Sequence, residues 1–269
     1  MPVKLIQLSS PGRGVRQLTL NRPGSLNALT AAMVAEFHAG LEAVERDQDC
    51  RVLIVTGSGR AFCAGLDLHG YGDDELVAER GKLRRTLERQ REIAGLTQRL
   101  HELRQPVIAA VNGPAAGIGL ALAVSCDIRF AAAEAKLTTS FARLGLVAEH
   151  GLAWLLPRLV GDAHARDLLL SGRTVTGAEA ASMGLVNRAV TGPGTLAEAL
   201  AYARELAQTG CPASWAAIKR QLLAADELTL PAAYEQAADL MEPALLSADH
   251  REGVLAFRER RPPRFAPLP

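Results

Sequence analysis

Cysteine pairs and long apolar runs are both scarce in this chain, which excludes several protein classes. Its 269 residues include four cysteines, at positions 50, 63, 126 and 211, and no two of them form a CxxC pair. A redox motif and a disulfide framework are therefore not expected, and the thiols beside apolar runs are predicted to be buried and free. No uncharged apolar stretch of about 18 residues occurs, so no membrane helix is predicted.

A charge excess of either sign is also lacking, since the chain has 30 basic and 29 acidic residues. This balance gives no support to a nucleic-acid partner, although a local basic patch could still hold a phosphate-rich small ligand. The N-terminal sequence MPVKLIQLSSPG has no apolar core of a signal peptide. We therefore expect a cytoplasmic protein without a membrane partner. The histidines show no metal-ligand spacing, and no metal site is predicted.

The hydrophobic pattern predicts alternating strands and helices in the first part of the chain and helices alone at the end. Strands are expected at 4–8 and 15–20 around the turn SSPGRG, at 51–57, 107–111 and 184–190, and helices at 31–45, 83–103, 151–159 and 163–170. This order indicates an α/β core domain over residues 1–195. Residues 196–269 form a predicted helical oligomerisation region, because such a helical appendage must bury its apolar face, often on a neighbouring subunit.

Two glycine-containing loops follow buried strands and are the first candidates for a functional site. RVLIVTG leads to Ala64-Gly65-Leu66-Asp67, and VIAAV leads to Gly117-Ile118-Gly119. A single Gly-x-Gly most often reflects close packing, and this spacing is not a dinucleotide fingerprint. Two strand-end loops, however, can direct two backbone N–H groups towards one point. Such a pair would stabilise an oxyanion.

Four segments in this order and spacing resemble the crotonase, or enoyl-CoA hydratase/isomerase, superfamily. They are LNRPGSLNAL (20–29), GRAFCAGLDL (59–68), AAVNGPAAGIGLALAVSCDIRFAAAEAKL (109–137) and FRERRPPRF (257–265). The resemblance covers nearly the whole chain. It implies a spiral of ββα units and a C-terminal helical region that makes a homotrimer or a homohexamer. It also implies an acyl-CoA substrate, with no cofactor beyond the coenzyme A that the substrate carries.

The same resemblance assigns roles to individual residues. The backbone N–H groups of Leu66 and Ile118 match the family's oxyanion hole, beside Gly117. The residues expected to line coenzyme A are Ser25, Leu26, Ala64, Gly65, Leu66, Asp67 and Leu68, with Ala64 near the adenine. Asp67 is expected to shape its loop or to cap a local turn. The basic end, Arg258 to Arg264, either reaches the CoA phosphates across a subunit interface or is a solvated tail.

The two glutamates that the family's well-known hydratases use are absent from this chain. Their positions read Ala121 and Phe141. Hydration of a conjugated enoyl thioester needs a water to be deprotonated and a proton to be delivered to the acyl α-carbon, and in those hydratases two carboxylates share this work. The departure therefore argues against a standard hydratase.

Glu149 is the remaining acid in this neighbourhood. Its segment, GLVAEHG, resembles the Gly-Leu-x-x-Glu-x-Gly stretch of the peroxisomal type of Δ3,Δ2-enoyl-CoA isomerase, whose matching glutamate is the catalytic base. A single carboxylate can perform a 1,3-proton shift. Phe141, Leu146 and Leu152 are expected to desolvate it and raise its pKa.

Alternatives remain open for this segment. Glu149 could be only a charge at a helix N-terminus. His150 could bond or tune the carboxylate, or be a surface or structural histidine. The leading function is enoyl-CoA isomerisation, and the alternatives are hydration of an unusual acyl-CoA and acyl-CoA binding without catalysis.

Overall fold

The structure is a computed structural model that describes residues 4–67 and 80–268. Its strands are β1 (Ile6–Gly12), β2 (Val15–Leu20), β3 (Val52–Gly57), β4 (Val107–Val111), β5 (Ala115–Ala116), β6 (Ile128–Ala132), β7 (Lys136–Thr138), β8 (Val175–Thr176) and β9 (Arg188–Val190). They form a six-stranded sheet in the order β1-β2-β3-β4-β6-β9 and a three-stranded sheet in the order β5-β7-β8. In the larger sheet only β1 and β2 are antiparallel.

The described helices flank these sheets and then continue alone to the C-terminus. They are α1 (Ala31–Arg46), α2 (Arg80–Glu102), α3 (Ile118–Val124), α4 (Leu152–Ser171), α5 (Gly177–Ser182), α6 (Thr195–Thr209), α7 (Pro212–Ala224), α8 (Leu230–Leu246) and α9 (Ala248–Glu259). This order confirms the predicted α/β class with a helical C-terminal region. In the part of the chain that is described, no helix is both long and apolar enough to cross a membrane.

The central strands owe their composition to burial on both faces. Every residue of β3 and β4 is buried, which explains why these strands read as continuous apolar runs rather than as an alternating pattern. Helix α1 covers one face of the sheet with Met33, Phe37 and Leu41. Its first turn is capped by Thr30, whose hydroxyl accepts a hydrogen bond from the Met33 N–H.

The opposite face of the sheet is covered by α6. Ala199, Ala203 and Ala207 are spaced four residues apart on this helix and pack against buried residues of the sheet, including Ile54 and Ile108. Small side chains let the helix lie close to the strands. The first helix of the predicted C-terminal region therefore packs on the sheet, whereas α8 has no buried residue.

Four predicted elements differ from the structure. The strand expected to end at residue 8 continues to Gly12, with a register irregularity between Ser9 and Gly12. Pro11 lies in this irregular part of an edge strand. Proline is tolerated there because it does not have to donate a hydrogen bond to a neighbouring strand. The strand expected at 184–190 covers only Arg188–Val190. The helices expected at 151–159 and 163–170 run on as α4, broken by Gly161 at φ 75°.

The close approach of α6 to the sheet can be tested by inserting a larger side chain between them. Ala203 is fully buried, so Ala203→Leu inserts a larger side chain between helix and strands and is expected to lower the free energy of unfolding by about 1–3 kcal/mol. Ala201→Leu, on the exposed face of the same helix, is the matched control and should change stability little. Urea unfolding of the two variants measures the difference, and equal midpoints would contradict this account of α6.

Candidate active site

The two glycine-containing loops start at the same edge of the large sheet. Strands β3 and β4 are parallel neighbours, with Ile54 paired to Ile108 and Thr56 to Ala110. Their carboxyl ends therefore lie side by side, and each leads into one of the two loops. This topology confirms that the loops are brought together, as the sequence pattern predicted.

Direct backbone contacts lock the two loops to each other. The Ala116 N–H donates to the Cys63 carbonyl at 3.0 Å, and the Cys63 N–H donates to the Pro114 carbonyl at 3.1 Å. A Cβ on Gly119 would lie 2.1 Å from the Cys63 oxygen. Only glycine permits this approach, so Gly119 serves close packing of the loops.

The N–H of Leu66 is left without a partner by the way its loop is paired. The Leu29 N–H donates to the Gly65 carbonyl at 2.8 Å, and the Asp67 N–H donates to the Leu29 carbonyl at 3.0 Å. Because backbone groups alternate sides along an extended chain, the N–H of Leu66 points away from Leu29. It meets no acceptor within residues 4–67 and 80–268.

Ile118 supplies the second free N–H. It is the first residue of α3, where an N–H has no acceptor inside the helix. Gly117, at φ 52°, turns the chain into this helix, and its own N–H donates to the Thr138 carbonyl at 3.0 Å. In the described chain nothing accepts from the Ile118 N–H. Each of the two touching loops thus carries one unused donor.

Residues 22–27 form a strap along the first loop. The strap includes Ser25 and Leu26, two of the residues predicted to line coenzyme A. Ser25 ends a short 3-10 turn and Leu26 follows at φ 51°. The Leu26 carbonyl accepts a hydrogen bond from the Ala64 N–H at 3.0 Å. Asp67 forms an ion pair with Arg22 at 2.6 Å, which ties the start of the strap to the loop. Leu68 lies outside the described residues.

Asn27 is a residue of this strap that the sequence reasoning missed. It is fully buried, and its side-chain amide donates to the carbonyls of Ser58 and Ala61 at 2.9 and 2.8 Å. Its oxygen accepts from the Arg22 N–H at 2.9 Å. A buried amide with every bond satisfied fixes local geometry. The asparagine in LNRPGSLNAL was the available signal.

Glu149 lies in the segment that leads into α4, two residues before the glycine that precedes the helix. Its side chain is 24% exposed, and burial raises its pKa above the ordinary value. Among the described residues no lysine or arginine lies within ion-pairing distance of it. Of the three residues predicted to desolvate it, Phe141 and Leu152 are buried, whereas Leu146 is 47% exposed.

The ring of Phe141 lies near both the second loop and His150. It comes within 3.9 Å of the place where a Cβ on Gly117 would lie, and its centroid is 6.3 Å from that of His150. Ala121 is fully buried inside α3. The two hydratase positions therefore hold apolar side chains packed in the core. In residues 141–151, Glu149 is the carboxylate-bearing residue.

His150 is not a surface residue. Its side chain is 5% exposed, and burial lowers its pKa to about 4. Its Nε2 lies 3.5 Å from Oε2 of Glu149. The imidazole is therefore neutral at physiological pH and adjacent to the acid.

The remaining candidate functional groups are the Cys63 thiol, the basic C-terminal tail and possible metal ligands. Burial raises the pKa of the Cys63 thiol to about 12, so this thiol is not a nucleophile at neutral pH. In the C-terminal tail, Arg261 forms ion pairs with Glu252 and Glu259. No cluster of three potential metal ligands occurs within the described part of the chain.

The contact between the loops can be tested with paired glycine substitutions. Gly119→Ala must displace the Cys63 carbonyl, so we expect a loss of about 1–3 kcal/mol in stability. Gly95→Ala is the control, because among the described residues a Cβ there would meet only His38 at 3.7 Å, and alanine favours the helix by up to about 1 kcal/mol. Thermal melting should give shifts of opposite sign, and a neutral Gly119→Ala would refute the close contact.

Similarity to known proteins extends over nearly the whole chain. The profile of the enoyl-CoA hydratase/isomerase family matches residues 11–267. The chain is 40% identical over 258 residues to 1,2-epoxyphenylacetyl-CoA isomerase of Escherichia coli K12, covering 96% of this chain and 97% of that one. It is 41% identical over 252 residues to a protein named "Probable enoyl-CoA hydratase" of Rhodobacter capsulatus, covering 94% of each chain.

A solved structure confirms the fold that the resemblance predicted. The enoyl-CoA hydratase of Bacillus anthracis superimposes with a TM-score of 0.89 at 29% identity, over 98% of this chain and 99% of that one. Family members act on acyl-CoA substrates. The spiral crotonase fold, the two touching loops and the match across nearly the whole sequence lead to one conclusion: the chain belongs to the enoyl-CoA hydratase/isomerase, or crotonase, family.

Proposed function

We propose that this chain catalyses Δ3,Δ2-enoyl-CoA isomerisation with Glu149 as the proton shuttle. The observation that carries the proposal is a single partly desolvated carboxylate, without a cationic partner among the described residues. The two hydratase positions hold the buried Ala121 and Phe141 instead. The E. coli relative is named an isomerase of an acyl-CoA, which supports isomerisation as the broad class of reaction.

The reaction moves one proton and one double bond. Glu149 removes a proton from the acyl α-carbon, and the electrons of that C–H bond spread over the thioester oxygen and the neighbouring double bond. The N–H groups of Leu66 and Ile118 stabilise the resulting dienolate oxygen. Glu149 then returns the proton to the γ-carbon, which leaves the double bond conjugated with the thioester. A raised pKa suits a group that acts first as base and then as acid.

Substrate binding is assigned to the strap and the first loop. Ser25 and Leu26, together with the Ala64 to Leu68 loop, contact coenzyme A, with Ala64 near the adenine. The Arg22–Asp67 ion pair holds this binding surface in place before the substrate arrives. The reaction needs no cofactor beyond the coenzyme A that the substrate carries.

Hydration of an acyl-CoA is the second candidate function, and the name of the Rhodobacter relative favours it. Glu149 would then have to activate a water molecule without a second carboxylate. The apolar surroundings of Phe141 make this a less suitable arrangement for holding water.

The C-terminal helices are assigned to the assembly of a homotrimer or a homohexamer. Helix α8 has no buried residue in the single chain. Large apolar side chains are exposed on α8 and α9, namely Leu230, Tyr234, Met241, Leu245, Leu246, Val254, Leu255 and Phe257. An apolar surface of this extent on a soluble protein needs cover, and further copies of the chain supply it.

The proposed chemistry is tested with a 3-enoyl-CoA and a 2-enoyl-CoA assayed side by side. Wild type should convert the 3-enoyl thioester to the conjugated product and hydrate that product slowly. Glu149→Gln should lower kcat by about 10²–10⁴-fold while its melting temperature stays the same or rises, because a desolvated charge is removed. The exposed Glu134→Gln is the matched control.

Two other outcomes would replace the proposal. Fast hydration by wild type, undiminished in Glu149→Gln, would make Glu149 structural and the chain a hydratase. Tight binding of acyl-CoA with no turnover of either substrate would indicate a binding protein.

The proposed assembly is tested by light scattering on the eluting protein. The expected mass is three or six times the 28.6 kDa of one chain. Leu246→Glu should lower the mass, because it places a charge in the buried interface, whereas Leu170→Glu, at an exposed site on α4, should leave it unchanged. A monomeric wild type would rule out this role for the C-terminal helices.

A further inference from the structure

His150 is a buried side chain in an otherwise exposed segment. Residues 142–147 are all exposed, yet the His150 side chain is only 5% exposed. The chain turns inward here through two successive left-handed residues, His150 at φ 57° and Gly151 at φ 80°. The segment thus delivers the imidazole to the interior just before α4 begins.

This placement costs free energy. A left-handed conformation is unfavourable for a residue other than glycine, and a buried polar group without a partner adds to that cost. The Nδ1 atom of His150 is buried and has no hydrogen-bond partner in the described residues. Strain and incomplete bonding at one residue commonly mark a functional position.

The surroundings of the ring select one tautomer. Its Nε2 faces Oε2 of Glu149 at 3.5 Å, whereas Nδ1 faces no acceptor in the described chain. A proton on Nε2 can be donated to the carboxylate, whereas a proton on Nδ1 would leave the Nε2 lone pair facing the carboxylate oxygen. The arrangement therefore favours a neutral imidazole with the proton on Nε2.

We infer that His150 is the positioning residue of the proposed base: it donates from Nε2 to Oε2 of Glu149 and leaves Oε1 to exchange the proton with the acyl chain. This inference rests on the proposed function of Glu149. The present separation is longer than an ordinary N–H···O bond, and a movement of about 0.5 Å closes it. Contacts of this kind are often long in a free enzyme and tighten when substrate binds.

A neutral donor suits this role better than a cation does. Burial holds the pKa of His150 near 4, so the ring orients the carboxylate without the attraction that would strongly lower the pKa of Glu149. Two arginines on the adjoining elements are engaged elsewhere. Arg143 donates to the Ser171 carbonyl, and Arg158 pairs with Asp226. Helix α3 carries no titratable residue.

The test compares two amides at position 150. In His150→Gln the amide nitrogen reaches towards the place of Nε2, whereas in His150→Asn, which tolerates left-handed backbone, it reaches only towards that of Nδ1. We expect His150→Asn to lower kcat for the 3-enoyl-CoA about tenfold or more with little change in KM. His150→Gln should recover most of this loss.

The pH profile separates positioning from a structural role. Loss of a donor to the charged carboxylate raises the pKa of Glu149, so in His150→Asn the acidic limb of kcat/KM should move to higher pH. In His150→Gln it should stay near that of wild type. Coincident profiles in all three proteins, or equal impairment of both variants, would overturn the inference.

Wild-type protein with ¹⁵N-labelled histidine gives a measurement that needs no active variant. The His150 ring, assigned by its absence in His150→Gln, should be neutral at pH 6 with the proton on Nε2, and a proton on Nδ1 would overturn the inference. Glu149→Gln keeps the two proposals apart. If that variant stays active, the proposed function fails; if it is inactive while His150→Asn matches wild type, only the inference on His150 fails.

Discussion

The backbone of Cys63 lies against the backbone of Gly119, and the geometry of the candidate site depends on this contact. The parallel pairing of β3 and β4 brings two loops to one sheet edge, but it does not by itself set their separation. The hydrogen bond from the Ala116 N–H to the Cys63 carbonyl, at 3.0 Å, and the absence of a side chain at Gly119 do so. Both unused N–H donors, on Leu66 and Ile118, are carried by these loops.

The protonation of Glu149, the acid of the candidate site, depends on burial rather than on an ion pair. Glu149 is desolvated without a compensating cation in the described chain, and its neighbour His150 is desolvated into its neutral form. Two titratable groups side by side thus avoid opposite charges at neutral pH. A strong ion pair would have stabilised the carboxylate and lowered its pKa. The segment instead gives up local stability and keeps the raised pKa that suits the proton exchange proposed for Glu149.

Much of the fold could be predicted from the sequence because its signals are local. The buried runs of β3 and β4, the amphipathic pattern of α1 and the glycines after the strands all follow from nearest neighbours along the chain. The packing of α6 on the sheet, the Arg22–Asp67 ion pair and the burial of His150 could not be predicted, because each depends on residues distant in sequence or on a backbone turn without a glycine at that position. Pro11 was similarly misleading, since a proline that ends most strands is tolerated at a sheet edge.

The division of the site between backbone and side chains has an evolutionary consequence. The proposed oxyanion donors are amide groups of Leu66 and Ile118, which persist whatever side chains a lineage adopts, provided that the loops still meet. The group proposed to transfer the proton is a side chain on a separate segment, and a single codon change can remove it or install another. Selection can thus change the reaction that the enolate undergoes while the fold and the oxyanion donors stay the same. Two relatives of nearly equal identity to this chain carry different names, one an isomerase and the other a probable hydratase.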